Sequence, residues 1–239
     1  IYPVFEHDEN GNLVNDPKIP GGKSYDYGQT ADGSRAYAGG INPAGAVRLD
    51  RDENLTNLTT GNLNLEYRFL KDFKLAVTYG FQSTASKKET LANPYYGDAA
   101  KIGRISNLNE NDFSWTLNEI LSWGKTFGDH TVDAFIAHEA TKNELDFHES
   151  GKKKLILGNV TTLDDGLIRG DISGYRLTYA IESYFGQARY DYKNKYYLST
   201  SVRRDGSSRF APDYRWGTFG SVGAAWIISK EKFLSPVKW

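Results

Sequence analysis

The chain has 239 residues, with 29 Lys and Arg against 30 Asp and Glu and a formal net charge of -1. That balance argues against a basic nucleic-acid binder and against an acidic solvating tail. With no cysteine, a disulfide framework, a thiolate metal site and a cysteine nucleophile are excluded. Methionine is also absent and the first residue is Ile1, which reads as a processed chain or an internal fragment. No charged n-region followed by an apolar stretch opens it, so no signal peptide is expected. The longest apolar run, Ala224 to Ile228, is far short of the roughly 20 residues of a transmembrane helix. Aromatics at 14% and 24 glycines suggest many alternating strands instead. Membrane insertion stays open, because β-barrels hide their lipid face in alternation.

Residues 1–60 carry turn and loop signals, among them Asn10-Gly11-Asn12, Pro20-Gly21-Gly22 and Asp32-Gly33-Ser34. From about 61 a period-2 pattern sets in. Leu63, Leu65, Tyr67 and Phe69 alternate with Asn62, Asn64, Glu66 and Arg68, giving a strand with one apolar and one wet face. A turn at Leu70-Lys71-Asp72 leads into Phe73, Leu75, Val77, Tyr79 and Phe81, so the two runs predict a hairpin. A third strand covers 113–123 with Phe113, Trp115, Leu117, Leu121 and Trp123 on one side, interrupted by Glu119. A weaker fourth covers 131–141, where Phe135 breaks the face of Val132, Ala134 and Ile136. Tyr184 to Tyr190, a turn at Lys193-Asn194-Lys195, Tyr196 to Val202, and Trp216 to Ile228 complete about seven strands.

The expected connections near 70–72, 124–130 and 192–195 are short, and those at 83–112, 142–176 and 205–214 are long. Short and long alternate, as in a transmembrane barrel with tight periplasmic turns and long extracellular loops. Residues 1–60 then read as an extracellular loop region and 61–239 as part of a transmembrane barrel. Tyr67, Phe69, Phe73, Trp115, Trp123, Trp216 and Trp226 fall near strand ends on the apolar side, the placement of interfacial girdles. Aromatics in a sandwich core account for the same pattern. Seven strands leave an open edge, which lipid does not tolerate, so the fold class expected is all-β, antiparallel, and part of a larger barrel.

The stretch from Ser183-Tyr184-Phe185-Gly186-Gln187 to Lys195-Tyr196 is followed by Ser201-Val202-Arg203-Arg204-Asp205-Gly206-Ser207-Ser208-Arg209-Phe210. Then come Arg215-Trp216-Gly217-Thr218-Phe219, Ala225-Trp226 and Ser229-Lys230-Glu231-Lys232-Phe233-Leu234. This region resembles the SusC/RagA family of TonB-linked outer-membrane transporters of Bacteroidetes. Weaker similarity runs through Asn62 to Gln82 and Ile41-Asn42-Pro43, and to Pro3-Val4-Phe5; residues 83–176 carry none that is recognisable. The resemblance implies a barrel of about 22 strands, plugged by an N-terminal domain outside these residues. It implies import of glycan oligosaccharides, or peptides in some members, energised by the TonB–ExbB–ExbD complex through the plug. A SusD-like surface lipoprotein would cap the mouth. Neither a nucleic-acid partner nor a cofactor is implied.

Arg203-Arg204-Asp205-Gly206-Ser207-Ser208-Arg209 sits where a strand reaches the expected rim. The arginines could contact substrate or the lipoprotein lid; an Asp-Gly turn whose Arg and Asp residues pin a loop to the wall is the favoured account. Tyr95, Tyr96 and Arg104, in the expected loop 83–112, are the ligand-binding candidates, because aromatic faces suit the apolar faces of sugars. Gly22-Lys23-Ser24 lacks the first glycine and the strand-to-helix context of a P-loop. Asp8, Asn10 and Asn12 lack the distal Glu of a calcium loop. His7, His130, His138 and His148 show no ligand spacing. Asn54, Asn57 and Asn159 begin glycosylation-type tripeptides, and Lys152-Lys153-Lys154 reads as a solvated run. No nucleophile–base arrangement emerges, so no enzyme is expected, and the alternative function is a secreted β-sandwich that binds carbohydrate.

Overall fold

The computed structural model describes residues 4–30, 33–34, 42–158 and 162–234. Pro3, Ile41 and the tripeptide at 159–161 lie outside them. The described elements are a two-residue ladder of β1 (Gln29–Thr30) and β2 (Gly33–Ser34), a helix α1 (Pro43–Leu49), and seven strands. These are β3 (Arg51–Phe69), β4 (Phe73–Ala92), β5 (Arg104–Phe127), β6 (His130–Leu155), β7 (Gly166–Tyr192), β8 (Tyr196–Ser207) and β9 (Trp216–Trp226). They form one sheet in the order β3-β4-β5-β6-β7-β8-β9, a meander in which sequence neighbours are hydrogen-bonded neighbours. The all-β antiparallel expectation holds. A sandwich requires two sheets packed face to face; all seven strands here lie in one.

The strands are longer than the alternation predicted. β3 begins ten residues before position 61, and most of the expected loops 83–112 and 142–176 is strand, leaving connections of 93–103 and 156–165. The reason is visible in Ser83-Thr84-Ala85-Ser86-Lys87-Lys88-Glu89: with neither face apolar, period-2 hydropathy vanishes while the ladder persists. Polar cross-strand pairs hold it. Thr56 and Ser86 share a hydroxyl hydrogen bond of 3.0 Å. Lys88 meets Asp52 at 3.1 Å, and Arg176 donates twice to Asp146, at 2.6 and 2.8 Å. The alternation of connection lengths survives the correction, with 70–72, 128–129 and 193–195 short and 93–103, 156–165 and 208–215 longer. Two short turns place consecutive residues at positive φ, Leu70-Lys71 and Lys193-Asn194, the backbone twist that suits tight hairpins.

The chain divides into two compact units, and β3 to β7 contribute residues to both. One unit comprises Ile1–Asn57, Thr84–Asn111 and Asp146–Arg176. Here the segment from Val4 folds back through bridges Phe5↔Tyr25, His7↔Leu13 and Asn15↔Lys23. A small core of Ile19, Tyr25 and Leu49 results, with Phe5, Tyr27, Tyr95 and Tyr96 packed against it. Asn42 caps α1 by accepting from Ala44 and Gly45 N–H, and its amide donates to the carbonyls of Val4 and Asp26. One buried side chain thus ties the helix start to two turns of the preceding segment. Asp8, read as a faint calcium ligand, instead accepts from the N–H groups of Asn10 and Asn12 and caps a turn.

The second unit comprises Leu58–Ser83, Asp112–Leu145 and Leu177–Trp239. Its last described segment, two short 3-10 turns at Ile228–Lys230 and Lys232–Leu234, is held by the Lys230 ammonium, which donates to the Asn194 carbonyl at 2.7 Å, and by one carboxylate. Glu231 accepts from Lys195 Nζ at 2.8 Å, from the Tyr196 hydroxyl and from Trp226 Nε1 at 3.0 Å. The hydrogen bond from Lys195, then that from Tyr196, pulls its pKa from 4.5 to about 2. A lowered carboxylate pKa stabilises the folded state fully above its ordinary value, and the contribution disappears as pH falls through the folded one. The turn is therefore expected to stay docked at pH 4 and to release between pH 4 and about 2. Fluorescence of Trp226, isolated as the difference from a Trp226→Phe variant, is the readout; Glu231→Gln should remove that acid transition.

Candidate functional site

The register β7–β8–β9 fixes which side chains share a face. Tyr184, Gly186, Ala188 and Tyr190 oppose Arg204, Val202, Thr200 and Leu198. Those in turn oppose Thr218, Gly220, Val222 and Ala224. Strand alternation carries the same face to Leu63, Leu65 and Tyr67 on β3 and Leu75, Val77 and Tyr79 on β4. Contacts of Tyr79 with Trp115 and Phe73 with Trp123 carry it to β5. Val222 is 77% exposed, Ile136 67% and Tyr67 67%, so this unit leaves an apolar sheet face uncovered.

Aromatic rings border that face in two rows. Beside the short turns, Tyr67, Phe69, Phe73 and Trp123 form a chain with centroids 5.5–6.5 Å apart. Tyr192 bridges His130 and Tyr196, and Tyr196 stacks on Trp226 at 6.2 Å. In the other row Tyr79 meets Trp115 at 6.3 Å, and Tyr184 lies between His138 and Trp216 at 4.9 and 6.2 Å. Leu65, Val77, Leu121, Ile136, Val202 and Val222 fill the space between. On β8 the rows sit at Tyr196 and Arg204, about 27 Å apart along the strand and about 20 Å apart along the normal at a tilt of about 40°.

The opposite face is charged. Arg68, Lys74, Asp133, Gln187 and Arg189 line a concavity of about 350 Å³. Further along, Arg203 donates to Asp205 at 2.7 Å, to Glu139 at 3.2 Å and to the fully buried Ser183 hydroxyl at 3.0 Å. Its guanidinium lies 4.6 Å from the Phe185 ring, which packs edge-on against Phe135. Phe135, which broke the apolar pattern of its strand, belongs to this face, and Ile136 to the other.

The rim motif is split by the pleat. Arg203 and Asp205 take the charged face, Arg204 lies over Trp216 on the apolar face at 5.1 Å, and Arg209 stacks on Tyr179 at 4.2 Å in the turn. The expected Asp-Gly turn is displaced. Asp205 and Gly206 pair within the ladder with Gly217 and Trp216, and the chain reverses over 208–215. Gly206 serves that pairing, because a Cβ there would fall 2.8 Å from the Trp216 ring.

Tyr95 and Tyr96 belong to the other unit, where they pack against the core of Ile19, Tyr25 and Leu49; the structure does not join Arg104 to them. Asn93, buried and bonded through its N–H to Asp50, accepts from the N–H groups of Tyr95 and Tyr96 and shapes the start of their loop. Tyr96 stacks on Tyr27 at 4.2 Å, so one face of that ring is taken, and burial raises its hydroxyl pKa. Arg104 pairs with Asp98. Sequence reasoning gave no role to Glu139, and it quoted Ser183 and Phe185 only as part of the family-like stretch; their shared parity with Arg203 on predicted neighbouring strands is the signal that could have grouped them.

No protein-family model matches the chain. Among curated proteins it is 46% identical over 207 residues to TonB-dependent receptor P39 of Formosa agariphila, covering 82% of this chain and 19% of that one. It is 29% identical over 200 residues to TonB-dependent receptor SusC of Bacteroides thetaiotaomicron, again covering 82% and 19%. The chain therefore spans about a fifth of the length of these relatives. Among solved structures, that of the RagAB peptide transporter matches with a TM-score of 0.76 at 22% identity, covering 90% of this chain and 24% of the matched one. A second, the RagAB peptide importer in an open-open state, matches equally well and covers 95% of this chain.

The Arg203 network gives a direct test of how far the charged face is preorganised. Its partners are about one-third exposed, so a double-mutant cycle of Arg203→Gln and Glu139→Gln should show a coupling of only about 1 kcal/mol. Denaturant unfolding from lipid vesicles measures it, and a coupling near zero would mean that the pairing is incidental. Sequence and fold together identify the chain as a stretch of the SusC/RagA type of TonB-dependent receptor, built as a seven-stranded piece of its β-barrel.

Proposed function

We propose that this chain is part of the wall of an outer-membrane importer that moves a nutrient, a glycan oligosaccharide, under TonB control. The observation that carries the reading is the aliphatic band between two aromatic rows, backed by a charged face. Those are the lipid side and lumen side of a transmembrane strand array. No described helix is long and apolar enough to cross a membrane, and strands of 12 and 11 residues in β8 and β9 match the span of a tilted transmembrane strand. On this reading the short turns are periplasmic, and the longer connections and residues 1–60 are extracellular. The rest of a barrel of about 22 strands and its plug are supplied by the receptor beyond these residues.

The partners follow from the family. A SusD-like surface lipoprotein would close the extracellular mouth, the TonB–ExbB–ExbD complex would act through the plug, and outer-membrane lipid would wet the apolar face. Glycan cargo is the expectation that the SusC/RagA resemblance carries. A peptide cargo is the second reading, favoured by the structural neighbours described as a peptide transporter and importer. Uptake of a labelled oligosaccharide and of a labelled peptide by cells carrying or lacking the receptor separates the two. The function requires no catalytic step.

Placement in lipid has its own test. Val77→Arg and Val202→Arg put a cation on the apolar face and should each cost about 2–4 kcal/mol of folding stability in bilayers. Ser201→Arg, on the charged face, should stay within about 0.5 kcal/mol. Equal tolerance at all three positions would refute the assignment of faces.

A further inference from the structure

The apolar face is not uniformly filled. Between β6 and β8 it carries a groove of about 520 Å³ lined by Leu75, Leu121, Ile136, Val202 and, at its floor, Gly186. Gly186 has no side chain to fill the space, and its ladder partner Val202 rises beside it. A Cβ at Gly186 would also sit 2.9 Å from the Phe135 carbonyl, so the floor is a close backbone approach that keeps the groove open. The volume lies in the range of ligand pockets, and a flexible acyl chain has the matching chemistry.

One end of the groove is polar. His138 stands between two carboxylates, Glu119 at 3.0 Å and Glu182 at 3.4 Å, and Glu182 also accepts from the Tyr184 hydroxyl at 2.6 Å. Both carboxylates on this row are therefore engaged. Arg204 is not paired in that way. Its guanidinium lies over the Trp216 ring at 5.1 Å, lines the groove, and among the described residues has no carboxylate within 4 Å. A cation held by an aromatic ring keeps its N–H donors free for an anion. Arginine's planar fork matches a phosphate, and it does so at the level where the aromatic row marks the edge of the apolar band.

We propose that this groove is a binding site for one phosphorylated acyl lipid of the surrounding membrane, its chain lying over Gly186 between Ile136 and Val202 and its phosphate on Arg204. The site rests on the lipid-facing reading of this face. Glu119 and Glu182, both turned to His138, repel a phosphate on that side, which leaves the headgroup the Arg204 side of His138. A second protein chain would need a larger apolar contact than this single groove offers, and a free anion would leave the groove empty.

The test uses the full-length receptor in mild detergent, with lipid retention read by native mass spectrometry. The probes are phosphatidic acid, diacylglycerol with the same chains, and inorganic phosphate. Phosphatidic acid should be retained at one copy, diacylglycerol much less, and inorganic phosphate at millimolar concentration should not displace the lipid. Arg204→Gln should weaken retention about tenfold. Arg204→Lys should restore part of it, and Val202→Phe, which adds bulk to the groove without adding charge, should reduce retention with Arg204 intact. Equal retention of both lipids, unchanged retention in Arg204→Gln, or full displacement by inorganic phosphate would each overturn the site. Val77 lies outside the groove lining, so a costly Val77→Arg combined with unchanged lipid retention in Arg204→Gln would reject the lipid site alone. A tolerated Val77→Arg would reject the membrane reading beneath it.

Discussion

Backbone hydrogen bonding is the constraint on which this structure rests. A strand facing lipid has no water to satisfy its N–H and C=O groups, so every group must find a partner across the ladder. A meander in which each strand pairs with its sequence neighbours meets that demand with the shortest connections, and β3 to β9 are ordered in that way. Once the ladder is fixed, side chains have only two directions available. Most of the chemistry of the second unit follows from the division between odd and even positions: one side is chiefly aliphatic and aromatic, with polar groups such as Glu119, His138 and Arg204 at its edge, and the other is chiefly charged and hydroxylic, with Phe135 and Phe185 beneath Arg203.

The unit containing the N-terminal segment uses the same backbone differently. Its strands are held by hydroxyl pairs and ion pairs such as Thr56 with Ser86 and Arg176 with Asp146, each worth little alone in water. Its apolar anchor is local: Ile19, Tyr25 and Leu49 around a helix of one or two turns. Loops attached to that anchor are shaped by buried amides. Asn42 and Asn93 each satisfy several backbone groups at once, which gives irregular chain a defined course without a large core.

What could be read in the sequence was whatever the two faces made unequal. The hairpin around Leu70-Lys71-Asp72, the turn at Lys193-Asn194-Lys195 and the faces of β3, β4, β7 and β8 were legible because leucine, valine and tyrosine alternate there with polar residues. The outer stretches of β4 to β7 were not, because a strand wet on both sides leaves no hydropathic period, as Ser83 to Glu89 shows. Phe135 misled for a related reason: an aromatic on the charged face, packed beneath Arg203 through Phe185, looks like a fault in the apolar one. The rim motif was legible as important and wrong in detail, since Asp205-Gly206 has the composition of a turn but sits inside the ladder, with Gly206 making room for the Trp216 ring. Tyr95 and Tyr96 show the limit of reading a loop residue by type, because the stack on Tyr27 depends on residues about 70 positions away.

Arg203 and Arg204, adjacent in sequence and on opposite faces, have a consequence for assembly. Were β8 to pair one residue out of step, Arg203 and Asp205 would together leave Glu139 and Ser183 for the apolar side, while Leu198 and Val202 would turn toward the charged face. A period of two makes such a slip reverse every side chain at once: Arg204 would leave the Trp216 ring for the charged face, and the cost lies in the lost Arg203 contacts and in the aliphatic residues turned away from the apolar side. The unequal faces of β8 thus act as a proofreading mark: a hairpin that zips up out of phase is penalised by its own sequence and returns to search again.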